Sequence, residues 1–191
     1  YFRQHEGRIR GDVYEGIFRH SPDTDTIINN ISTGKRLEIK TSFLHSTESE
    51  TVFAYCLSEQ LSKKLLIEFN SDACIEIFNP IEFIRRVRIA VMRFISTHRY
   101  GLLAQPVNYY DPTKVPSFNY NDPKQIVFAK ENYYAWQEEY RLTFGKKSAF
   151  KFKQEFTLDL YDPYIEAMKG EYKEKLVKIG SLHDIARIVL P

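Results

Sequence analysis

The chain has 191 residues, of which 43% are hydrophobic and 27% charged, and its formal net charge is +2. These values predict one globular domain spanning 1–191 and exclude both a disordered chain and a strongly basic, dedicated nucleic-acid-binding domain. No apolar run approaches the ~18 residues of a membrane span, and no secretory signal is visible. We expect a cytoplasmic protein with no membrane partner. Because the chain starts at Tyr1 in mid-pattern, we also expect a missing N-terminal segment.

The first part of the chain predicts short strands followed by a helix. "GDVYEGIFRH" is typical of a turn leading into a strand, and "DTIINNIS", "TGKR" and "LEIKTSFLH" predict a hairpin with its turn at Thr33-Gly34. "ETVFAYCLS" predicts a buried strand. "SEQLSKKLLIEF" then changes to helical spacing, with Ser58 as the N-cap and Leu61, Leu65 and Leu66 on one face.

"DACIEIF" predicts a further strand, and "NPIEFIRRVRIAVMRFISTHR" the clearest helix, with Asn79 as its cap and Pro80 in its first turn. The apolar residues of this helix recur near the helical period of about 3.6. They are Ile81, Phe83, Ile84, Val87, Ala90, Val91 and Phe94. Its arginines indicate a solvated face, with a phosphate-binding stripe as the alternative. They are Arg85, Arg86, Arg88 and Arg93.

The second half favours strands in "LLAQPVNYYD", "EEYRLTFG" and "FKFKQEFTLDLY", and a short helix within "QIVFAKENYYAWQ". The Pro/Asn-rich loop "PTKVPSFNYNDPK" is long for a compact domain. The tail predicts a strand in "KLVKIGS", then a helix or strand in "HDIARIVL". Strands outnumber helices and their connections are mostly short. We therefore expect a single-domain α+β fold with a mixed or largely antiparallel sheet flanked by a few helices.

The stretch "AWQEEYRLTF" places unusual charge in an otherwise apolar strand. Side chains two apart share a face of a strand, so Gln137, Glu139 and Arg141 are expected to point one way and Glu138 the other. If that face lines a cleft, Arg141 keeps Glu139 ionised. Such a carboxylate is suited to stabilising a developing cation or accepting a hydrogen bond from a sugar hydroxyl. An exposed strand with an ordinary Glu–Arg pair is the alternative.

Two further features are candidate binding elements. A charged, glycine-containing N-terminal cluster either binds a phosphorylated ligand or forms a structural ion-pair network. Its members are Arg3, Glu6, Arg8, Arg10, Asp12 and Glu15. Ser58, between a strand and a helix, either marks an anion or ribose site or is a plain cap.

Standard motifs for dinucleotide, P-loop and zinc sites are missing. The five His show no metal-ligand spacing, so no metal is expected. Cys56 and Cys74 lie in apolar runs without a CxxC pair, as is typical of reduced cytosolic thiols.

The order of "RGDxxEG", "VFAYCLSE", "DACIEI" and "FAKxxxYAxQxEYRL" resembles a bacterial domain family of unknown function, most specifically over residues 128–142. Separately, Gln137-x-Glu139 on a late strand is similar to the Q/E-x-E motif of ADP-ribosyltransferases. That resemblance implies a Ser or Tyr on a central strand, for which Tyr55 or Ser58 is the candidate. It also implies an Arg or His on the first strand, supplied by Arg19 or His20 or by a residue upstream of Tyr1.

The second resemblance implies an ADP-ribosyltransferase-like fold and cleavage of the nicotinamide–ribose bond of NAD, in a toxin or phage-defence effector. Glu139 is then the catalytic residue. The expected NAD-binding residues are Arg10, Asp12, Tyr55, Ser58, Gln137 and Arg141. The acceptor is a protein or nucleic acid, and an antitoxin or chaperone is an expected partner. Two alternatives stay open. One is a metal-dependent nuclease-like effector using Asp12, Glu15 and Glu139, and the other is a non-enzymatic interaction module.

Overall fold

A computed structural model of the chain describes residues 16–22, 26–39, 42–48, 51–94, 97–146, 149–153, 158–159 and 176–190. These residues form an α+β fold with chiefly antiparallel sheets and few helices, which confirms the predicted fold class at that level. The strands are β1 (Ile17–His20), β2 (Thr26–Asn29), β3 (Arg36–Ile39), β4 (Ser42–Ser46), β5 (Val52–Ser58), β6 (Cys74–Ile77), β7 (Thr97–Pro106), β8 (Asn108–Tyr110), β9 (Ala129–Glu131), β10 (Glu139–Lys146), β11 (Leu158–Asp159) and β12 (Ala186–Val189). The helices are α1 (Lys63–Glu68), α2 (Pro80–Phe94), α3 (Pro123–Val127) and a 3-10 turn (Asn132–Gln137).

The central sheet has the order β5-β10-β7, and β10 pairs antiparallel with both neighbours. Alternation along β10 gives the sheet two different faces. Leu142 and Phe144 point to the apolar face, where they pack with Val91 of α2. Arg141 and Thr143 point to the opposite face. The apolar face therefore holds the main core, and the other face carries the polar residues of β10.

Helix α2 begins where the sequence predicts. The side chain of Asn79 accepts a hydrogen bond from the backbone N–H of Glu82, at 3.1 Å, so Asn79 is the expected cap. Phe83, Val87 and Val91 are buried against the central sheet. Ile81 is 81% exposed, so its assignment to the apolar face was wrong. It lies in the first turn of α2.

Helix α1 begins later than predicted. Its N-cap is Ser62, whose hydroxyl accepts a hydrogen bond from the backbone N–H of Leu65. Ser58 is the last residue of β5 and its hydroxyl donates to the Gln137 carbonyl at 2.5 Å. The prediction of Ser58 as the cap was therefore wrong, because both serines fit the cap preference and only the position of the strand end separates them.

The remaining strands form smaller sheets. Strands β1, β4 and β11 form one antiparallel sheet, and β2 and β3 form the predicted hairpin, with Gly34 at φ +63° in its turn. Strand β12 pairs antiparallel with β6, which assigns a strand rather than a helix to "ARIV". Strands β8 and β9 pair in parallel. None of the helices in the part of the chain described is long and apolar enough to span a bilayer.

A second apolar cluster lies between β1 and the segment following β8. Phe18 contacts Tyr110 and stacks on Tyr120, with ring centroids 5.2 and 5.1 Å apart. Phe118 meets both Phe18 and Tyr110 edge-on. The long Pro/Asn-rich loop thus contributes Phe118 and Tyr120 to a packed aromatic cluster, which anchors the loop to the fold.

Gly145 is required by close packing. A Cβ at this position would lie 2.2 Å from the Ala149 Cβ and 3.1 Å from the Thr51 carbonyl oxygen. We expect Gly145→Ala to lower the free energy of unfolding by about 3 kcal/mol, measured by urea denaturation. The control is Gly101→Ala, at φ +61° with nothing within 4 Å, which costs about 1 kcal/mol through backbone strain alone. Equal losses in the two variants would contradict the packing argument.

Thr143 offers a test of an unsatisfied buried group. It is fully buried, and its Oγ1 has no hydrogen-bond partner among the described residues. Because Val keeps the shape and removes the orphan hydroxyl, Thr143→Val should raise the free energy of unfolding by about 1 kcal/mol. The matched control is Thr47→Val, since the buried Thr47 hydroxyl donates to the Gly16 carbonyl at 2.9 Å. That variant should lose about 1 kcal/mol, and changes of the same sign would contradict the assignment.

Candidate functional site

Glu139 lies at the first position of β10 and is buried between two cationic side chains. Lys130 Nζ donates to Glu139 Oε2 at 2.7 Å, and Arg141 Nε donates to Oε1 at 2.5 Å. The relative exposures of Lys130, Glu139 and Arg141 are 5%, 5% and 1%. These three residues and Gln137 are called the Glu139 cluster below. An exposed strand face with an ordinary ion pair does not describe this arrangement.

The four members of the cluster come from three local structures. Lys130 lies in β9, Gln137 ends the 3-10 turn, and Glu139 and Arg141 share one face of β10. Lys130 Nζ also donates to Gln137 Oε1 at 2.7 Å. Arg141 NH1 donates to the Val127 carbonyl at 2.6 Å. The cluster therefore ties β9, the 3-10 turn and the end of α3 to the central sheet.

The backbone before Glu139 is irregular. Glu138 is exposed and has φ 42° and ψ 54°, a left-handed conformation that non-glycine residues adopt at a cost of about 1–2 kcal/mol. Its N–H donates to the Ala135 carbonyl, and its carbonyl accepts from Glu59 N–H at 2.8 Å. The strand thus begins at Glu139. The alternation had predicted that Gln137 lies on the same strand as Glu139, and this was wrong, because Gln137 ends the 3-10 turn. Its side chain nevertheless reaches the same cluster.

Glu139 is ionised at neutral pH. Burial raises the pKa of its carboxyl, but the charges of Arg141 and Lys130 and hydrogen bonds from Arg141 and the Cys56 thiol outweigh burial, so that the pKa is lowered to about 2. The phenol oxygen of Tyr109 accepts a hydrogen bond from the backbone N–H of Glu139, at 2.9 Å. Burial raises the pKa of Tyr109 to about 12, so this phenol stays neutral.

Ser58 and Tyr55 have different positions relative to the cluster. Ser58 lies opposite Glu139 in the register of β5 and β10, and its hydroxyl bonds to the Gln137 backbone. Tyr55 lies opposite Leu142 and shares the other face of the sheet. It is 53% exposed, with its ring 6.4 Å from that of Phe83. The structure therefore does not bring Tyr55 to Glu139, and the expectation that Tyr55 binds the same ligand needs correction.

The candidates for the first-strand residue lie on β1. Arg19 NH2 contacts Glu131 Oε1 at 2.9 Å, and Glu131 follows Lys130 in β9. His20 Nδ1 lies 3.1 Å from the Pro112 carbonyl oxygen. Arg10, Asp12 and Glu15 lie outside the described residues.

Lys130 is the member of the cluster that the sequence analysis missed. Its signal is weak, a single Lys after the apolar run "IVFA". Lysines are almost never fully buried unless they are paired with an acid. The local sequence around Lys130 does not indicate its pairing with Glu139. In the residues that the structure describes, there is no group of three His, Cys, Asp or Glu side chains suited to a metal ion.

Comparison of the chain with protein-family models, with curated proteins and with solved structures finds no match. Function is therefore inferred from the geometry of the Glu139 cluster and from the sequence resemblances.

The cluster predicts a pH-dependent stability. The pKa of Glu139 is lowered from 4.5 to about 2, so its contribution to stability is complete above about pH 5 and is lost as the pH falls towards 2. We expect the stability advantage of the wild type over Glu139→Gln to shrink by on the order of 3 kcal/mol between pH 5 and pH 2. Urea denaturation across this range measures it.

The control for this experiment is Glu138→Gln, which removes a neighbouring exposed carboxylate. Its stability should run parallel to that of the wild type across the same range. Parallel curves for the wild type and Glu139→Gln would contradict the lowered pKa of Glu139.

Proposed function

We propose that this protein is an ADP-ribosyltransferase-like enzyme that cleaves the nicotinamide–ribose bond of NAD and transfers ADP-ribose to a macromolecule. The observation that carries the proposal is the ionised Glu139, held by Lys130 and Arg141 at the start of a central strand. Gln137, two residues earlier, contacts the same Lys130. The Q-x-E pair of the sequence is thus a pair in space, joined through one ammonium group.

The chemistry requires a fixed negative charge. The bond between the nicotinamide nitrogen and ribose C1′ breaks, its electron pair leaves with nicotinamide, and positive charge develops on the ribose. An acceptor oxygen or nitrogen then bonds to C1′ and releases its proton to solvent. An ionised Glu139 stabilises the cationic transition state and accepts a hydrogen bond from a ribose hydroxyl. Because Glu139 is buried, its charge acts in a medium of low dielectric constant, where the interaction is stronger than in water.

The carboxylate retains acceptor capacity for such a hydroxyl. A carboxylate has about four lone-pair sites, and Lys130, Arg141 and the Cys56 thiol account for three donors. The Glu139 side chain is almost entirely covered, so a ligand reaches it by displacing the groups that lie over it. Ser58, opposite Glu139 in the sheet, is the residue on the adjacent strand that we assign to ribose contact.

The biological setting is proposed from the resemblance. It comprises a cytoplasmic toxin or phage-defence effector, a protein or nucleic-acid acceptor, and an antitoxin or chaperone partner. Arg10 and Asp12 keep their proposed part in NAD binding.

A second candidate function is a non-enzymatic interaction module. The burial of Glu139 and its contacts with Lys130 and Arg141 favour it, because a buried carboxylate that is paired with two cations also serves as a structural connection. In that case the cluster specifies how β9, β10 and the 3-10 turn associate, and its loss affects stability alone.

Incubation with labelled NAD and a cell extract separates the two functions. We expect the wild type to release nicotinamide and transfer label, and Glu139→Gln to lose at least about 100-fold in turnover, as when one transition-state-stabilising group is removed. Glu138→Gln should stay within about twofold of the wild type. Breaking a buried ion pair costs about 3–5 kcal/mol, so each variant is assayed at a temperature where circular dichroism shows it folded.

The outcomes are distinct. Absence of both NAD turnover and label transfer in the folded wild type would overturn the enzymatic proposal. Equal turnover by folded wild type and Glu139→Gln would also overturn the role of Glu139. A loss of stability in Glu139→Gln without any wild-type NAD turnover supports the interaction module.

A further inference from the structure

The side chains of Gln137 and Glu139 lie close together, both in contact with Lys130, but the regular geometry of a strand does not explain this arrangement. Gln137 ends the 3-10 turn, Glu138 is left-handed, and β10 starts at Glu139. The alternation that places residues two apart on one face holds only within a continuous strand. Other contacts must therefore set the relative position of these two side chains.

The backbone contacts on either side fix the chain but not the side chains. Ser58 Oγ donates to the Gln137 carbonyl, and the Glu139 N–H donates to Tyr109 Oη. Each side chain retains its own torsional freedom beyond Cα. Lys130 Nζ joins the two side chains directly, with distances of 2.7 Å to Gln137 Oε1 and 2.7 Å to Glu139 Oε2.

The chemistry of the ammonium group suits this task. A Lys ammonium has three donors and no acceptor, so the oxygen rather than the nitrogen of the Gln137 amide must face it. The ammonium also lies 4.7 Å from the centroid of the Tyr134 ring, where a cation–π interaction adds attraction. Its side chain is only 6% exposed, which limits screening by water. Two oxygen acceptors and one ring face thus surround a single compact charge.

We propose that Lys130 is a positioning residue that aligns the Gln137 amide with the Glu139 carboxylate. Its place in catalysis rests on the proposed function, whereas the alignment itself is a property of the folded protein. Lys130 acts through Gln137 and Glu139 and makes no assigned contact with NAD. Lys130 on β9 is thus added to the candidate site residues predicted from the sequence, which were expected on β5, on β10 and in the N-terminal cluster.

The experiment compares the wild type with Lys130→Met and Lys130→Arg in the full chain. Met keeps a long unbranched side chain and removes the charge and donors, while Arg keeps both. Lys114→Met is the control, since the Lys114 side chain is 77% exposed and lies in the loop after β8. Two readouts need no activity: the Glu139 carboxyl titration and the Gln137 side-chain amide signals, both followed by NMR. Thermal unfolding shows that each variant is folded.

Loss of one nearby cation should raise the Glu139 titration midpoint in Lys130→Met by about 1–3 pH units, and the Gln137 amide signals should shift. Lys130→Arg should keep the midpoint near that of the wild type, and Lys114→Met should change neither readout. If both readouts are the same in Lys130→Met and in the wild type, the alignment role is overturned.

Kinetics then tests the catalytic consequence separately. With NAD turnover present in the wild type, Lys130→Met should lower kcat by about 100-fold, as misplacement of a reacting group does, with KM changed less than threefold. Lys130→Arg should restore part of kcat. An unchanged kcat in Lys130→Met overturns the positioning role. Absent wild-type turnover overturns the proposed function, while the NMR readouts still decide the alignment.

Discussion

The burial of Glu139 between Lys130 and Arg141 is the constraint on which the rest of the site depends. Removing three charged groups from water costs several kcal/mol each, and only close contacts among them offset that cost. The contacts of 2.5 and 2.7 Å meet this requirement. Strands β9 and β10 must therefore associate in one arrangement, because any displacement leaves a buried charge without its partner.

The same constraint explains the irregular backbone before β10. Glu138 adopts a strained left-handed conformation at the junction between the 3-10 turn and the strand. The turn brings the Gln137 side chain to Lys130, and an extended backbone would carry it along the β10 direction instead. Hydrogen bonds from Ser58 to the Gln137 carbonyl and from Glu59 to the Glu138 carbonyl hold the junction against β5. Strain of about 1–2 kcal/mol is thus offset by contacts that a regular strand would not make.

The sequence predicted those features that follow from local periodicity. Helix α2, with its Asn79 cap, was predicted because its apolar spacing is regular, and β5 because it is rich in β-forming residues. The expectation that β5 is buried was wrong, since each of its residues is half-buried or exposed. The N-cap of α1 was misassigned because Ser58 and Ser62 have the same local preference. Lys130 escaped prediction because its pairing with Glu139 arises from the association of β9 with the sheet. No sequence period connects the two positions, which are separated by the 3-10 turn.

The two faces of the central sheet restrict which residues act together. Leu142 and Phe144 lie on the face that packs against α2 in the core, and Tyr55 lies on the same face. Glu139 and Arg141 lie on the other. The surroundings of Glu139 therefore come from β9 and the 3-10 turn, where Lys130 contacts the carboxylate, the Gln137 amide and the Tyr134 ring. Because a strand backbone separates the two faces, the aromatic ring beside this cluster is that of Tyr134 in the 3-10 turn, whereas Tyr55 lies on the core face.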